Sequence, residues 1–229
     1  MDAQHQLKQR AADAAVALVK DGMILGLGTG STAKLAVGTI GKRVAGGLRV
    51  TGIPTSEFTG EQARSLGIPI STLDDHPEID LTIDGADEVE LGPLNLIKGR
   101  GGALLREKIV ASASKQLVII VDESKLVEKL GSHFAVPVEV VPFGWNSTAG
   151  KLAALGAKVT LRPGSDGKPF VTDGGHYIVD CAFGPVGSPS KLEQELNSVV
   201  GVVEHGLFLK MASRVIVAGH DGVQVLLPE

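Results

Sequence analysis

The sequence predicts an α/β fold: a parallel sheet covered on both faces, with a second, smaller α+β domain. Three observations predict it. Runs such as "MILGLG" (23–28) and "LVIIV" (117–121) are apolar without alternation, as strands buried on both faces must be. Helical patterns alternate with these runs through about residue 130, the rhythm of βαβ units. Beyond Gly131 the rhythm changes to hairpins mixed with helices, the mark of a small antiparallel domain. The expected division is 1–130 plus 206–229 for the α/β catalytic domain and 131–205 for the smaller one.

The elements follow in order. Leu7, Ala11, Ala14, Ala15 and Leu18 recur at helical spacing, which predicts a helix over 4–20. After the strand "MILGLG", "STAKLAVGTIGKRV" reads as a helix capped by Ser31 or Thr32. "LRVTGIPT" is a strand, "SEFTGEQARSLG" a helix closed by Gly67, and "IPIST" and "IDLTIDG" are strands. "ALLREKIVASASK" is helical and "QLVIIVDE" is again a strand. In the smaller domain "FAVPVEVVP", "KVTLRP", "FVTD" and "HYIVDCAF" read as strands. "NSTAGKLAALG" and "SPSKLEQELNSVVG" read as helices, the second with Ser188 at its cap and Pro189 at its first position. The tail runs "RVIVAG" and "GVQVLLP" are β-like and are expected to return to the first sheet.

Composition narrows the function. Net charge is −4 with the basic residues dispersed, so no nucleic-acid partner is expected. No apolar run approaches the ~20 residues of a membrane span, and the N-terminal stretch lacks the pattern of a secretory signal. The single cysteine, Cys181, lies in the apolar run "YIVDCAF" and reads as a buried small hydrophobe in a reducing, cytoplasmic protein. The six histidines lack ligand spacing, so no metal site is expected.

Four polar segments can carry chemistry. "GLGTGSTA" (26–33) is a glycine-rich turn between a strand and a helix, where backbone N–H groups can meet an anion. It lacks the Gly-Lys-Ser/Thr of a P-loop and the acid near residue 48 that a dinucleotide ribose needs. A small phosphorylated ligand fits better than NAD; a plain strand-to-helix turn is the alternative. "IDGADEVE" (83–90) places Asp84 and Asp87 at a strand end. Paired carboxylates raise one pKa and suit proton transfer to sugar hydroxyls. A capping turn, a solvated charge cluster and a Mg²⁺ site remain open there. "IKGRGGALLREK" (97–108) sets Lys98 before a glycine cluster and Glu107 on the first turns of a helix; an exposed helix face with charge pairs is the plainer reading of Glu107. Lys125 in "DESKLV" follows another strand, as would a solvated surface lysine. Together the four segments offer phosphate donors, acids and cations, with no Ser–His–Asp set beside them. Proton transfer on a small anionic sugar is the chemistry they suit.

"GLGTGSTA", "TSEFT", "DGADEV", "KGRGGALLREK" and "DESKLV", in this order, resemble the ribose-5-phosphate isomerases of the A type. "FAVPVEVVP", "GLF" and "DGV" add to the likeness, which spans essentially the whole chain. The resemblance implies a Rossmann-like sheet domain with a ferredoxin-like smaller domain. It implies interconversion of ribose 5-phosphate and ribulose 5-phosphate through an enediolate, in the non-oxidative pentose phosphate pathway, with no cofactor, in a homodimer or homotetramer. Glu107 is implied as the base moving a proton between C1 and C2, and Asp84 as assisting ring opening. Asp87 and Lys98 are implied to bind and stabilise the reacting oxygens. Thr29, Gly30, Ser31, Thr32 and Lys8 would hold the phosphate. Gly85, Ala86, Gly99, Arg100, Gly101 and Lys125 would line the substrate. Arg100 departs from the run of glycines common in the family and brings a long cation to the site. A sugar-phosphate sensor and a CoA-handling transferase of similar architecture are the competing readings. An intact Glu107 counts against the first and the short chain against the second.

Overall fold

The structure, a computed structural model, describes residues 3–229. The first half of the chain runs α1 (Ala3–Val16), β1 (Ile24–Leu27), α2 (Ser31–Ala45), β2 (Thr51–Pro54), α3 (Glu57–Ser65), β3 (Leu81–Asp84), β4 (Glu88–Glu90), β5 (Leu96–Ile97) and α4 (Leu104–Ser112). There follow β6 (Leu117–Asp122), a 3₁₀ turn at Glu123–Lys125, β7 (Leu126–Val127), β8 (Val136–Val140), α5 (Trp145–Ala154) and β9 (Lys158–Leu161). The chain closes with β10 (Tyr177–Ala182), α6 (Pro189–Asn197), β11 (Val202–His205), β12 (Leu207–Phe208), β13 (Arg214–Gly219) and β14 (Gly222–Leu226).

Six strands form the main sheet in the order β14-β13-β6-β3-β1-β2, parallel except for the antiparallel edge strand β14. The tail therefore returns to the first sheet, as its apolar runs predict. The chain leaves β1 toward β2 on one side and comes back to β3 on the other. That makes the carboxyl ends of β1 and β3 the switch point, where α/β sheets bind ligands.

Strand β6 shows why the apolar runs do not alternate. Val118 and Ile120 pack with Ala11, Ala15, Val37 and Ile40 of α1 and α2. Leu117, Ile119 and Val121 pack on the opposite face with Val89, Leu96 and Phe208. This second face is covered by α4 and by a small sheet of order β12-β5-β4-β7. The sequence predicts that both faces are covered but assigns no element to these short strands. Strands of two or three residues are too short to leave a periodic signal, so the small sheet was not legible.

The second lobe runs β-α-β-β-α-β, with sheet order β11-β8-β10-β9 and every pair antiparallel, which is the ferredoxin-like topology. Its core sets Val136, Val138, Val140, Val179 and Cys181 against Leu152, Leu192 and Leu196. Burial pushes the Cys181 thiol up to about 12, so it is inert packing rather than a nucleophile.

Four local expectations change. "IPIST" makes a single bridge, Ile70 to Gly52, because Pro69 lacks the N–H needed to extend a ladder. "FVTD" likewise makes one bridge, Val171 to Tyr177, beside a tight turn. Helix α1 stops at Val16 rather than residue 20, where Arg43 donates to the carbonyls of Val16 (2.6 Å) and Val19 (3.1 Å). Gly30, at φ 112°, is the N-cap of α2, and neither Ser31 nor Thr32 caps it. Their hydroxyls have no capping role, and that of Ser31 accepts from Lys8 instead.

Candidate active site

The four carboxylates of "LTIDGADEVE" have four different fates. Asp84, 1% exposed, ends β3. Its Oδ1 accepts from the N–H groups of Gly85 (2.7 Å) and Thr29 (3.1 Å), and its Oδ2 lies 3.0 Å from Lys98 Nζ. The Oδ2 of Asp87 accepts from Arg100 N–H at 2.9 Å. Buried Glu88 accepts from the N–H groups of Gly131, His133 and Phe134 and so fixes the 131–134 loop. Glu90 accepts from Asn95 at 2.8 Å.

Lys98 joins two of the predicted segments. It follows β5 and is 2% exposed. Its Nζ meets Asp84, Glu107 Oε1 at 3.2 Å and the Gly85 carbonyl at 2.5 Å, with the Phe208 ring centroid 5.4 Å away. Burial alone would lower the Lys98 pKa, but Asp84 and Glu107 outweigh it and hold the ammonium above its ordinary value. Glu107 sits in the first turn of α4, 5% exposed. Its Oε2 is buried with no hydrogen-bond partner among the described residues. Burial pushes its pKa up to about 8, against the pull of Lys98 and with Asp84 adding to the rise. Burial also raises Asp87, opposed by the Arg100 N–H bond and by Lys98. A buried carboxylate with one free oxygen and a raised pKa has the makings of a general base.

A cavity of about 470 Å³ opens beside this group. Asp87, Lys98 and Glu107 line it, with Gly85 and Ala86 on one wall. Gly99, Arg100 and Gly101 form another wall, and Thr29, Gly30, Ser31 and Thr32 the end at the start of α2. Lys8 and Lys125 also line it, and Lys8 Nζ lies 3.1 Å from Ser31 Oγ. Every site residue expected from the sequence lines this cavity except Asp84, which lies behind it, bonded to the lining residues Lys98, Gly85 and Thr29. Among the described residues no cluster of His, Cys, Asp or Glu has the arrangement of a metal site.

Some details differ from the sequence reading. Thr29 lines the cavity, but its hydroxyl is turned into a cluster with Thr55 (2.7 Å), Ser56 (2.8 Å) and Thr59 (3.1 Å). The "TSEFT" segment thus buttresses the loop from behind. Arg100 lies outward, its guanidinium 4.8 Å from the Phe134 ring centroid, with Lys125 Nζ 4.9 Å from the same ring. Gln4 also lines the cavity and was missed. Its place one helical turn before Lys8 was the available signal.

Gly28 allows β1 and β3 to approach. A Cβ there would lie 2.2 Å from Asp84 Oδ1 and 2.6 Å from the Asp84 Cα, which is backbone and cannot swing away. We expect Gly28→Ala to destabilise the fold by about 1–3 kcal/mol. Denaturant unfolding checks this, and an unchanged midpoint would refute the tight approach.

The comparisons agree with this geometry. Residues 51–222 match the family model described as ribose 5-phosphate isomerase A (phosphoriboisomerase A). A ribose-5-phosphate isomerase A of Gloeobacter violaceus is 61% identical over 222 residues, covering 97% of this chain and 96% of that one. The solved ribose 5-phosphate isomerase A of Methanocaldococcus jannaschii superposes with a TM-score of 0.94 at 43% identity, over 98% of this chain and 100% of that one. A D-ribose-5-phosphate isomerase solved in complex with phospho-erythronic acid gives 0.95 at 39% identity, over 99% and 100%. With the motif order, the topology and the site in agreement, the chain belongs to the ribose 5-phosphate isomerase A family.

Proposed function

We propose that this protein interconverts ribose 5-phosphate and ribulose 5-phosphate by proton transfer between C1 and C2, in the non-oxidative pentose phosphate pathway. The observation that carries the proposal is the free, buried Oε2 of Glu107 beside an ion-paired Lys98, in a cavity whose other end is the amino end of α2. Glu107 removes the C2 proton of the open-chain aldose. The electron pair forms the C1–C2 double bond of the enediolate and moves negative charge onto O1. The same carboxyl returns the proton to C1, and the O2 proton moves to O1, giving the ketose with no net gain or loss. Lys98 faces the developing charge, a fixed cation where charge appears. Ring opening falls to the Asp84–Lys98 pair, with Asp87 holding sugar hydroxyls. Ser31, Thr32, the Gly30 backbone and Lys8 grip the phosphate, and remote binding energy of this kind positions the carbon atoms. The complex of a related isomerase with phospho-erythronic acid supports an anionic sugar-like ligand in this fold.

The reading extends to 1–130 plus 206–229 as the catalytic domain and 131–205 as the smaller one. It also includes a cytoplasmic, homodimeric or homotetrameric enzyme. Exposed Phe143 and Val200 on the smaller lobe and Val225 and Leu227 near the sheet edge support self-association. The direct test is ribulose 5-phosphate formation from ribose 5-phosphate with purified protein and excess EDTA. Turnover is expected; binding of ribose 5-phosphate without turnover would favour a sensor.

The phosphate grip makes a separate expectation. The double variant Ser31→Ala/Thr32→Ala should raise KM about tenfold or more, with a smaller change in kcat, since it removes two donors that act on substrate and transition state alike. An unchanged substrate affinity would remove these hydroxyls from the binding site.

A further inference from the structure

We infer that Arg162, which directly follows β9 in the smaller lobe, is a positioning residue that sets the peptide planes of the loop between Lys98 and Glu107. This rests on the isomerase reading above. The loop has little means of holding itself. Gly99 and Gly102 have φ of +103° and +84°, and its one internal backbone bond is Gly102 N–H to the Gly99 carbonyl at 3.0 Å. Arg162 reaches it from outside. One guanidinium nitrogen, Nη1, donates to the Gly99 carbonyl at 2.8 Å and to the Arg100 carbonyl at 3.0 Å. The rest of the guanidinium is held by Asp180 of β10, with Nε at 3.0 Å and Nη2 at 2.5 Å from the two carboxylate oxygens. This is the two-pronged geometry that only arginine offers.

The consequence comes from peptide planarity. In a trans peptide the N–H points opposite to the C=O. Holding the Gly99 carbonyl outward therefore turns Arg100 N–H the other way, where it donates to Asp87. Holding the Arg100 carbonyl outward turns Gly101 N–H away from Arg162. That N–H has no partner among the described residues, and Gly101 lines the cavity. One side chain thus presets two successive donors, one spent on orienting Asp87 and the other left for a substrate oxygen.

Neighbouring contacts fix the hairpin that carries this grip. A Cβ on Gly102 would meet the Phe170 ring at 2.4 Å, so ring and loop are closely packed. Asp173 accepts from the N–H of Glu57 at the start of α3 at 2.9 Å. Buried Glu139 holds Thr172 and His176, each at 2.9 Å. The smaller lobe is by this account the template against which the catalytic loop is shaped.

The test uses Arg162→Lys, Arg162→Met and Asp180→Asn in the full-length protein. The readouts are kcat, KM, inhibition by inorganic phosphate and thermal unfolding. Lysine can keep a charge contact with Asp180 but cannot span it and two carbonyls. We expect Arg162→Lys to unfold near the wild-type temperature, with kcat lowered about tenfold or more, as small misplacements of catalytic groups cost. Inhibition by phosphate should change far less than kcat, because Ser31, Thr32 and Lys8, which grip the phosphate in this reading, lie outside this loop. Asp180→Asn keeps the arginine but loosens it, and should give an intermediate kcat. A kcat within twofold of wild type in folded Arg162→Lys and Asp180→Asn would overturn the inference. So would losses that track unfolding temperature alone, whether or not Arg162→Met folds. Wild-type protein without turnover in the same assay would instead overturn the isomerase reading.

Discussion

Glu107→Gln should keep the fold and the phosphate grip and lose turnover by about 10²–10⁴-fold, the usual contribution of a positioned base. The amide has the shape of the carboxyl but cannot take the C2 proton. The loss should fall in kcat, with KM little changed, because the interaction removed acts on the transition state. The wild-type pH profile should show the same group. The pKa of Glu107 is raised to about 8 from an ordinary 4.5, so kcat/KM should climb with pH through a limb well above the usual carboxylate range. Stability should run the opposite way. A folded-state pKa above the unfolded one means that the folded protein holds the proton more tightly. The resulting stabilisation is complete below about 4.5 and is lost as pH rises through about 8. Glutamine imitates the protonated form at every pH. Glu107→Gln should therefore gain stability on the wild type as pH rises toward 8, and little near pH 4. Near-normal turnover in the folded variant would sink the base assignment. A stability difference that ignores pH would sink the account of the raised pKa.

The site was more legible than the scaffold that shapes it, for physical reasons. Lys98, Glu107, Asp87 and the 29–32 loop carry residue types whose chemistry shows at once, in glycine-rich settings at the ends of apolar runs. The same pattern predicted β1, β3 and β6, whose apolar residues are needed on both faces of a covered sheet. What stayed hidden depends on contacts distant in sequence. The small sheet of β4, β5, β7 and β12 gathers short strands from 88 to 208, and none is long enough to show a period. The inward turn of the Thr29 hydroxyl follows from Thr55, Ser56 and Thr59, about 30 residues away. Glu88 looked like one more acid in a cluster until the N–H groups of residues 131–134 were found on it. Ser31 and Thr32 had the right composition for a cap, but Gly30 took that place. Propensity names candidates for a helix start; the chain's route into the helix decides between them.

Lys98→Met should have the largest combined effect, lowering both stability and activity. Methionine approximates the length and volume of the lysine stem and leaves no void to account for the loss. What it removes is the ammonium beside Asp84, Glu107 and the Gly85 carbonyl, with both carboxylates nearly inaccessible to water. Breaking a buried pair from one side strands charge that water cannot reach, at a cost of about 3–5 kcal/mol. The lysine opposes the upward shift of Glu107 that burial causes, so its loss pushes that pKa higher still. The folded variant then keeps its proton to higher pH. Below about 8 both proteins hold it and the deficit should be flat, while above about 8 the deficit should grow as pH rises. Urea unfolding at about pH 6 and about pH 9.5 measures both ends. Activity should fall by at least the 10²–10³-fold typical of losing one oxyanion donor. The double variant Lys98→Met/Glu107→Gln separates the two causes. If stranded charge is the source of instability, neutralising Glu107 above about pH 8 should restore more stability in the Lys98→Met background than it adds to the wild type, while restoring no turnover, a non-additive result expected of groups in contact. An equal gain from Glu107→Gln in both backgrounds, or an equal deficit at both pH values, would place the instability in packing rather than charge and leave Lys98 without its electrostatic role.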